Sequence, residues 1–363
     1  MNNKLFLPGL NGLRAMAAMS VVFSHIGHNL HRFGLPKFTW DLAGFGVTIF
    51  FSLSGFLITY LLLLEKQKDN IIHIKNFYIR RVLRIWPLYF LYLSLALLVI
   101  YIENRNVVPG ILACYIFLAA NIPFILGHPL PYVAHYWSLA VEEQFYLFWP
   151  WLVKKSNSLF QVLVGFIGCM LLLKFLFRYV EIRTGNDILY TIISVTRFHC
   201  MAIGALGAYL YYYNNKIFLS ITQNMLIQLL AWLNIAIIAI NKFHIASIID
   251  NEIVAITTVI LIINQIANPK TVISLEKPLL DFLGKISFGM YVYHPLIIVL
   301  VAIAFRPQLS LLSEWIQYSV IYLVIPSLTI FTAWLSYNFY EKRFLKMKTQ
   351  FSTIQSAGSK VEG

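Results

Sequence analysis

The sequence predicts an all-α membrane protein: a polytopic bundle of about ten transmembrane spans, with a re-entrant segment near residues 110–126. Three observations carry this. Of the 363 residues, 59% are hydrophobic and 12% charged, with a mean hydropathy of +0.73; the charged share is about half that of a globular domain. The apolar residues fall in long runs separated by short polar loops. The 28 Lys and Arg against 15 Asp and Glu give a net charge of +13, and the basic residues collect in those loops, as the positive-inside bias requires. That placement points to a membrane and away from nucleic acid as a partner.

Residues 1–9 form a short polar lead with Lys4, and 10–28 make the first span. Arg14 interrupts this apolar run and no small-residue cleavage site follows, so it reads as a retained helix and not as a signal peptide. A loop at 28–40 turns on Gly34 and Pro36. The second span, 42–64, holds Ser52, Ser54 and Gly55, small residues suited to close helix approach. Residues 65–85 are the densest basic stretch, with Lys66, Lys68, Lys75, Arg80, Arg81 and Arg84, and are expected on the cytoplasmic side. Trp86 and Pro87 open the third span, which ends near 102. Residues 110–126 are short for a span and carry Asn121 and Pro123. After 136–150, further spans are expected at 158–180, 188–213, 217–241, 247–267, 286–305 and 315–340. With 110–126 re-entrant, about 18 Lys and Arg lie inside and roughly 7 outside, and both termini are cytoplasmic. The tail is too short to fold alone, so 1–345 form the membrane domain and 346–363 a polar cytoplasmic tail. Cys114, Cys169 and Cys200 sit in apolar runs, without disulfide or metal spacing.

Polar groups inside these runs are the candidates for chemistry, because ionisable side chains in a span are costly. Arg14 and His25 are eleven residues apart, so on a helix they share nearly one face about 16 Å apart along the axis. Arg14 snorkelling to the headgroups is the structural alternative. In 136–150, Ser138, Glu142 and Tyr146 follow one another at four-residue spacing and line one helix face. Glu142 is expected to partner Arg14, His25 or a basic loop residue; alternatively, Glu142 and Glu143 mark the first turn of an interfacial helix. Arg80 and Arg84 share a face, and with Arg81 they suit either a polyphosphate or anionic lipid. His294, before Pro295, reads as a helix-end feature more readily than as a catalytic group. Arg197 and His199 are weaker candidates, and Gly204 and Gly207 suit close packing. Arg178, Glu181 and Arg183 look like a solvated outer cluster. Gly-rich phosphate loop, zinc-binding and nucleophile-elbow patterns are absent from the sequence.

Taken together, these residues resemble the acyltransferase 3 family of integral membrane acyltransferases. The family's spaced Arg and His in the first helix correspond to Arg14 and His25. Its Phe-rich motif ending in Ser-Gly-Phe-Leu-Ile is matched at 50–59, and its Arg-Arg-x-x-Arg-x-x-Pro stretch by Arg80, Arg81, Arg84 and Pro87. Trp137, Ser138, Leu139, Glu142, Phe145 and Tyr146 match a further motif. Residues 283–294 match the last, with Phe288 where Tyr is commoner; Glu341 is followed by Lys342 instead of the usual Pro. Five motifs in order, from Gly9 to about Phe344, make the resemblance specific.

The resemblance implies transfer of an acyl group, usually acetyl, from cytoplasmic acyl-CoA to a hydroxyl of a cell-surface or lipid-linked carbohydrate, in the inner membrane of a bacterium and in contact with its lipids. Some members carry an added hydrolase-like domain, for which this chain has no room. Under this reading Arg80, Arg81 and Arg84 hold the coenzyme phosphates and Arg14 the pantetheine arm, whose length is comparable to the reach to His25. His25 serves as general base or as acyl carrier, the base role being slightly favoured. Glu142 orients His25 or neutralises Arg14, and Ser138 and Tyr146 bond the developing oxyanion. No metal is implied. The alternative is an export subunit whose polar groups line a pathway without chemistry.

Overall fold

The computed structural model describes residues 5–37 and 42–354. Parts of the expected lead, of the 28–40 loop and of the tail therefore lie outside the described residues. Helix α1 spans Leu10–Asn29, and after a 3₁₀ turn at Leu30–Phe33 come α2 (Leu42–Asp69) and α3 (Ile74–Ile102). Two short helices, α4 (Pro109–Ile116) and α5 (Asn121–Ile125), precede α6 (Tyr136–Lys155). The chain continues through α7 (Leu159–Thr184), α8 (Ile188–Thr196), α9 (Phe198–Tyr212), α10 (Lys216–Thr222) and α11 (Met225–Ala239). It closes with α12 (Asp250–Ala267), α13 (Pro278–Leu309) and α14 (Glu314–Ser336), and a π-helical turn at Tyr337–Glu341 leads into α15 (Lys342–Thr349).

Seven helical stretches are long and apolar enough to cross a membrane: α2, α3, α7, α8 with α9, α12, α13, and α14 with α15. The pair α10 and α11, bent by 57°, would make an eighth. Helices α1 and α6 fall outside this group, although each has 20 residues, because they carry the polar groups singled out above. The bundle shelters them instead. No residue of α1 is exposed, and the helix packs among α2, α13 and α14. By contrast, only 17% of the apolar window of α7 is buried inside the protein.

The structure departs from the expected elements at several points. Residues 110–126 are two short helices separated by Leu118 in the left-handed region (φ 58°). Eight residues of helix reach about 12 Å, far short of the ~30 Å hydrocarbon core, so neither piece crosses. The stretch 188–213 is interrupted at Arg197 (φ 43°). The stretch 217–241 breaks before α11, where the Asn224 side chain accepts from the Leu226 and Ile227 amides and caps a new helix. Helix α3 starts at Ile74, so the basic residues ride on the spanning helix and not in a loop before it.

Close packing follows from glycine where helices cross. A Cβ on Gly55 of α2 would collide with the Met201 carbonyl of α9, and one on Gly204 of α9 with the Ser52 carbonyl of α2. The two backbones touch there, the use of small residues that membrane bundles favour. Lys174, on the otherwise lipid-facing α7, is buried and bonds Glu252 of α12 at 2.7 Å; His199 of α9 approaches the same oxygen at 2.9 Å.

Candidate active site

Two cavities meet at three arginines. The larger, about 530 Å³, opens at the end of the bundle formed by the N-terminus of α1, the C-terminus of α2, the first turns of α3 and α13, and α15. Arg80, Arg81, Arg84, Lys285, Lys342 and Lys348 line it together with Arg14. Glu65, Glu276 and Asp281 offset part of that charge. The smaller cavity, about 130 Å³, lies deeper, with Ser54, Ser138, Glu142, Tyr146 and Tyr291 in its wall. Arg14, Arg81 and Arg84 line both, so the guanidinium groups stand at the junction. A site that concentrates positive charge at a constriction suits a ligand whose anionic part stays outside while its neutral end goes in.

The arginines are not equivalent. Arg80 is committed to the protein: Nη2 donates to Glu65 at 2.9 Å and Nη1 to the Phe351 carbonyl at 2.7 Å. Glu65 is 2% exposed and also accepts from the His73 amide at 2.9 Å. Arg80 thus pins the segment after α15 against α3, and its guanidinium is the least available of the three expected phosphate ligands. Arg81 stacks over the rings of Phe77 and Tyr146, 5.5 and 5.4 Å from their centroids. The segment 342–354 helps enclose the vestibule; Lys68 donates to the Thr353 carbonyl at 3.0 Å, and Thr353 to Asp69 at 3.0 Å.

Glu142 accepts hydrogen bonds from the hydroxyls of Ser54 and Tyr146. Ser54 and Tyr146 lie 2.7 Å apart, closing a three-membered polar cluster in the inner cavity. The spacing on α6 supplies the Tyr146 contact; Ser54 comes from α2 and reads in the sequence as a packing residue. Glu142 shares the cavity wall with Arg14 but makes no hydrogen bond to His25 among the described contacts. The expectation that Glu142 orients His25 is therefore corrected: the two face different polar neighbours.

The partner of His25 is His294. Nδ1 of His25 lies 2.6 Å from Nε2 of His294, with the rings stacked at 4.9 Å. His294 is completely buried and its Nδ1 faces the Met290 carbonyl at 3.3 Å, one turn back on α13. The reading of His294 as a helix-end feature is thus overturned, because it sits in the middle of α13. A third ring, His135, packs edge-on to His294 at 5.3 Å, with neither nitrogen hydrogen-bonded. Tyr291 connects this group to the inner cavity: its hydroxyl donates to the His135 carbonyl at 2.9 Å and lies 2.5 Å from Ser138 Oγ. His25 lines neither cavity, so the route from the vestibule ends at Ser138, Tyr291 and Phe50. Among the described residues no group of three or more His, Cys, Asp or Glu is placed to hold a metal ion.

A basic vestibule, a carboxylate-bearing inner chamber and a histidine pair thus lie in sequence along α1. The family of acyltransferase domains designated Acyl_transf_3 matches residues 7–337. The chain belongs to this family. A Staphylococcus aureus (strain COL) protein provisionally named an O-acetyltransferase is 28% identical over 369 residues, covering 94% of this chain and 58% of its own. The peptidoglycan O-acetyltransferase OatA of Listeria monocytogenes is 34% identical over 186 residues, covering 45% of this chain and 28% of its own. A Bacillus subtilis protein provisionally named a peptidoglycan O-acetyltransferase is 35% identical over 158 residues, or 40% of this chain and 23% of its own. The chain thus spans little more than half the length of the first of these relatives. No solved structure matches it.

Proposed function

We propose that this chain is an integral membrane O-acetyltransferase that moves an acyl group, acetyl foremost, from acyl-CoA to a hydroxyl of a cell-surface carbohydrate. One observation carries the reading: seven cationic side chains line a vestibule that narrows at Arg14, Arg81 and Arg84 into a small chamber. A coenzyme with several phosphates and a neutral thioester arm has that distribution of charge. Arg81 and Arg84 grip the phosphates bidentately, while Arg80, held by Glu65, keeps the helix carrying them in place. Arg14 meets the arm at the constriction. The peptidoglycan O-acetyltransferases among the relatives support a carbohydrate acceptor, peptidoglycan or another surface glycan.

The chemistry divides among this chain's own groups. His25, on the same helix as Arg14 and about 16 Å further along, takes the proton of the acceptor hydroxyl. The hydroxyl oxygen bonds to the thioester carbon, the carbon–sulfur bond breaks, and the departing sulfur receives the proton. Ser138 is placed to bond the oxygen that gains charge in the transition state, while Glu142, with Ser54 and Tyr146, holds a negative charge opposite Arg14. For the thioester to meet His25, the wall made by Phe50, Tyr291 and Ser138 has to part.

The proposed setting is a cell membrane, with the vestibule on the cytoplasmic side. Adding α1 and α6 to the eight apolar stretches, and leaving α4 and α5 as the re-entrant part, gives ten crossings with both termini on that side. The decisive measurement compares surface glycans of cells carrying the wild-type gene and His25→Ala by mass spectrometry, at equal protein levels. An acyl increment present only with the wild type supports the enzyme and names the group. The same modification in both strains with altered glycan export would support a transport role instead.

A further inference from the structure

The hydrogen bonds around the His25 pair determine which ring nitrogen carries hydrogen, and this goes beyond naming His25 as the base, although it rests on that reading. A backbone carbonyl can only accept, so the His294 Nδ1 that faces the Met290 oxygen at 3.3 Å is the protonated nitrogen of that ring. Among the described residues no carboxylate bonds to either ring, so both imidazoles are neutral. A neutral ring has one hydrogen, so Nε2 of His294 is a bare acceptor. The His25 Nδ1 that lies 2.6 Å away must then be the donor. The lone pair of His25 is left on Nε2.

We infer that His294 is a positioning residue, which acts through His25 by accepting its Nδ1 hydrogen and so fixing the tautomer whose Nε2 is the base. Without that acceptor His25 can place its hydrogen on Nε2, where it has no lone pair for the acceptor hydroxyl. The same contact restrains rotation of the ring and steadies the imidazolium formed when Nε2 takes the hydroxyl proton. When that proton passes to the departing thiolate, His25 returns to the starting tautomer. Stacking at 4.9 Å over a fully buried ring leaves His294 little freedom to move away. An acyl-imidazole on Nε2 would need the same tautomer, so the inference holds for either role of His25.

The test uses His294→Leu, which removes the acceptor, and His294→Gln, whose side-chain carbonyl can reach the place of Nε2. The initial rate of acyl increment on surface glycans is measured in cells at equal protein levels. The full-length proteins, labelled with ¹⁵N-histidine and purified in detergent, report the His25 tautomer, its signals assigned by their loss in His25→Ala. The expected result is a rate about 100-fold lower for Leu, within the range of general-base contributions, with His25 hydrogen shifted onto Nε2. Gln is expected to restore the rate to within about tenfold and to keep the hydrogen on Nδ1. A wild-type rate for Leu, or equal losses in Leu and Gln with the His25 tautomer unchanged in both, overturns the inference. Undiminished acylation by His25→Ala would instead overturn the reading of His25 itself.

Discussion

At the residue scale, the arginines of one motif have separable duties. Arg80 is paired to a buried carboxylate, whereas Arg84 faces two cavities. Removing one member of a buried pair strands the other charge and costs about 3–5 kcal/mol. Arg80→Ala is therefore expected to lower the thermal midpoint in detergent strongly, with Glu65→Gln falling alongside it. Arg84→Ala is expected to leave the midpoint near wild type and to raise the KM for acetyl-CoA by about tenfold or more, in keeping with a lost charged hydrogen bond of about 1.5–3 kcal/mol. A lowered midpoint for Arg84→Ala with an unchanged KM would reverse this assignment. Glu142 holds a comparable position in the inner cavity. Glu142→Gln keeps an acceptor for Ser54 and Tyr146 but removes the charge opposite Arg14, so turnover is expected to fall more than thermal stability, as paired activity and melting measurements would show.

At the scale of elements, the bundle is fixed where glycine lets α2 and α9 touch and where a lysine anchors α7. Helix α2 delivers Ser54 to Glu142, so its depth against α9 also sets the inner cavity. Gly204→Ala would force the α9 backbone away from Ser52, and both the midpoint and activity are expected to drop together. Gly165, on α7, has nothing within 4 Å of its Cβ position, so Gly165→Ala provides the control and should be nearly silent. Lys174→Met tests the anchor. It leaves Glu252 buried with His199 alone, and increased proteolysis of α7 in detergent is the expected sign of a loosened helix.

At the scale of the molecule, the charge distribution orients the bundle. The vestibule gathers its cations at one end, and the His25 pair lies towards the other end of α1. With α4 and α5 too short to cross, Lys155 falls on the vestibule side of ten crossings. A single cysteine at Lys155, in a background without Cys114, Cys169 and Cys200, should resist a membrane-impermeant maleimide in intact cells and react after permeabilisation. Reaction in intact cells would place α6 the other way round and require 110–126 to cross.

The sequence by itself determined what depends on neighbours along the chain. An apolar composition with charge confined to short stretches leaves helices as the structure that satisfies the backbone in lipid. Four-residue spacing placed Tyr146 against Glu142, and the length of α1 put Arg14 and His25 on one helix, because the period of a helix is fixed by backbone geometry. Family membership too was legible, through five motifs in order. Tertiary structure alone decided the partners across helices. Ser54 meets Glu142 from 88 residues away, and His294 meets His25 from 269. Arg80 turned from a phosphate ligand into a buried strut because Glu65 and Phe351 converge on it. Which side chains meet between helices depends on the rotation and depth of each helix in the bundle. Those follow from the packing of all the helices at once, for which no single stretch of sequence carries a pattern.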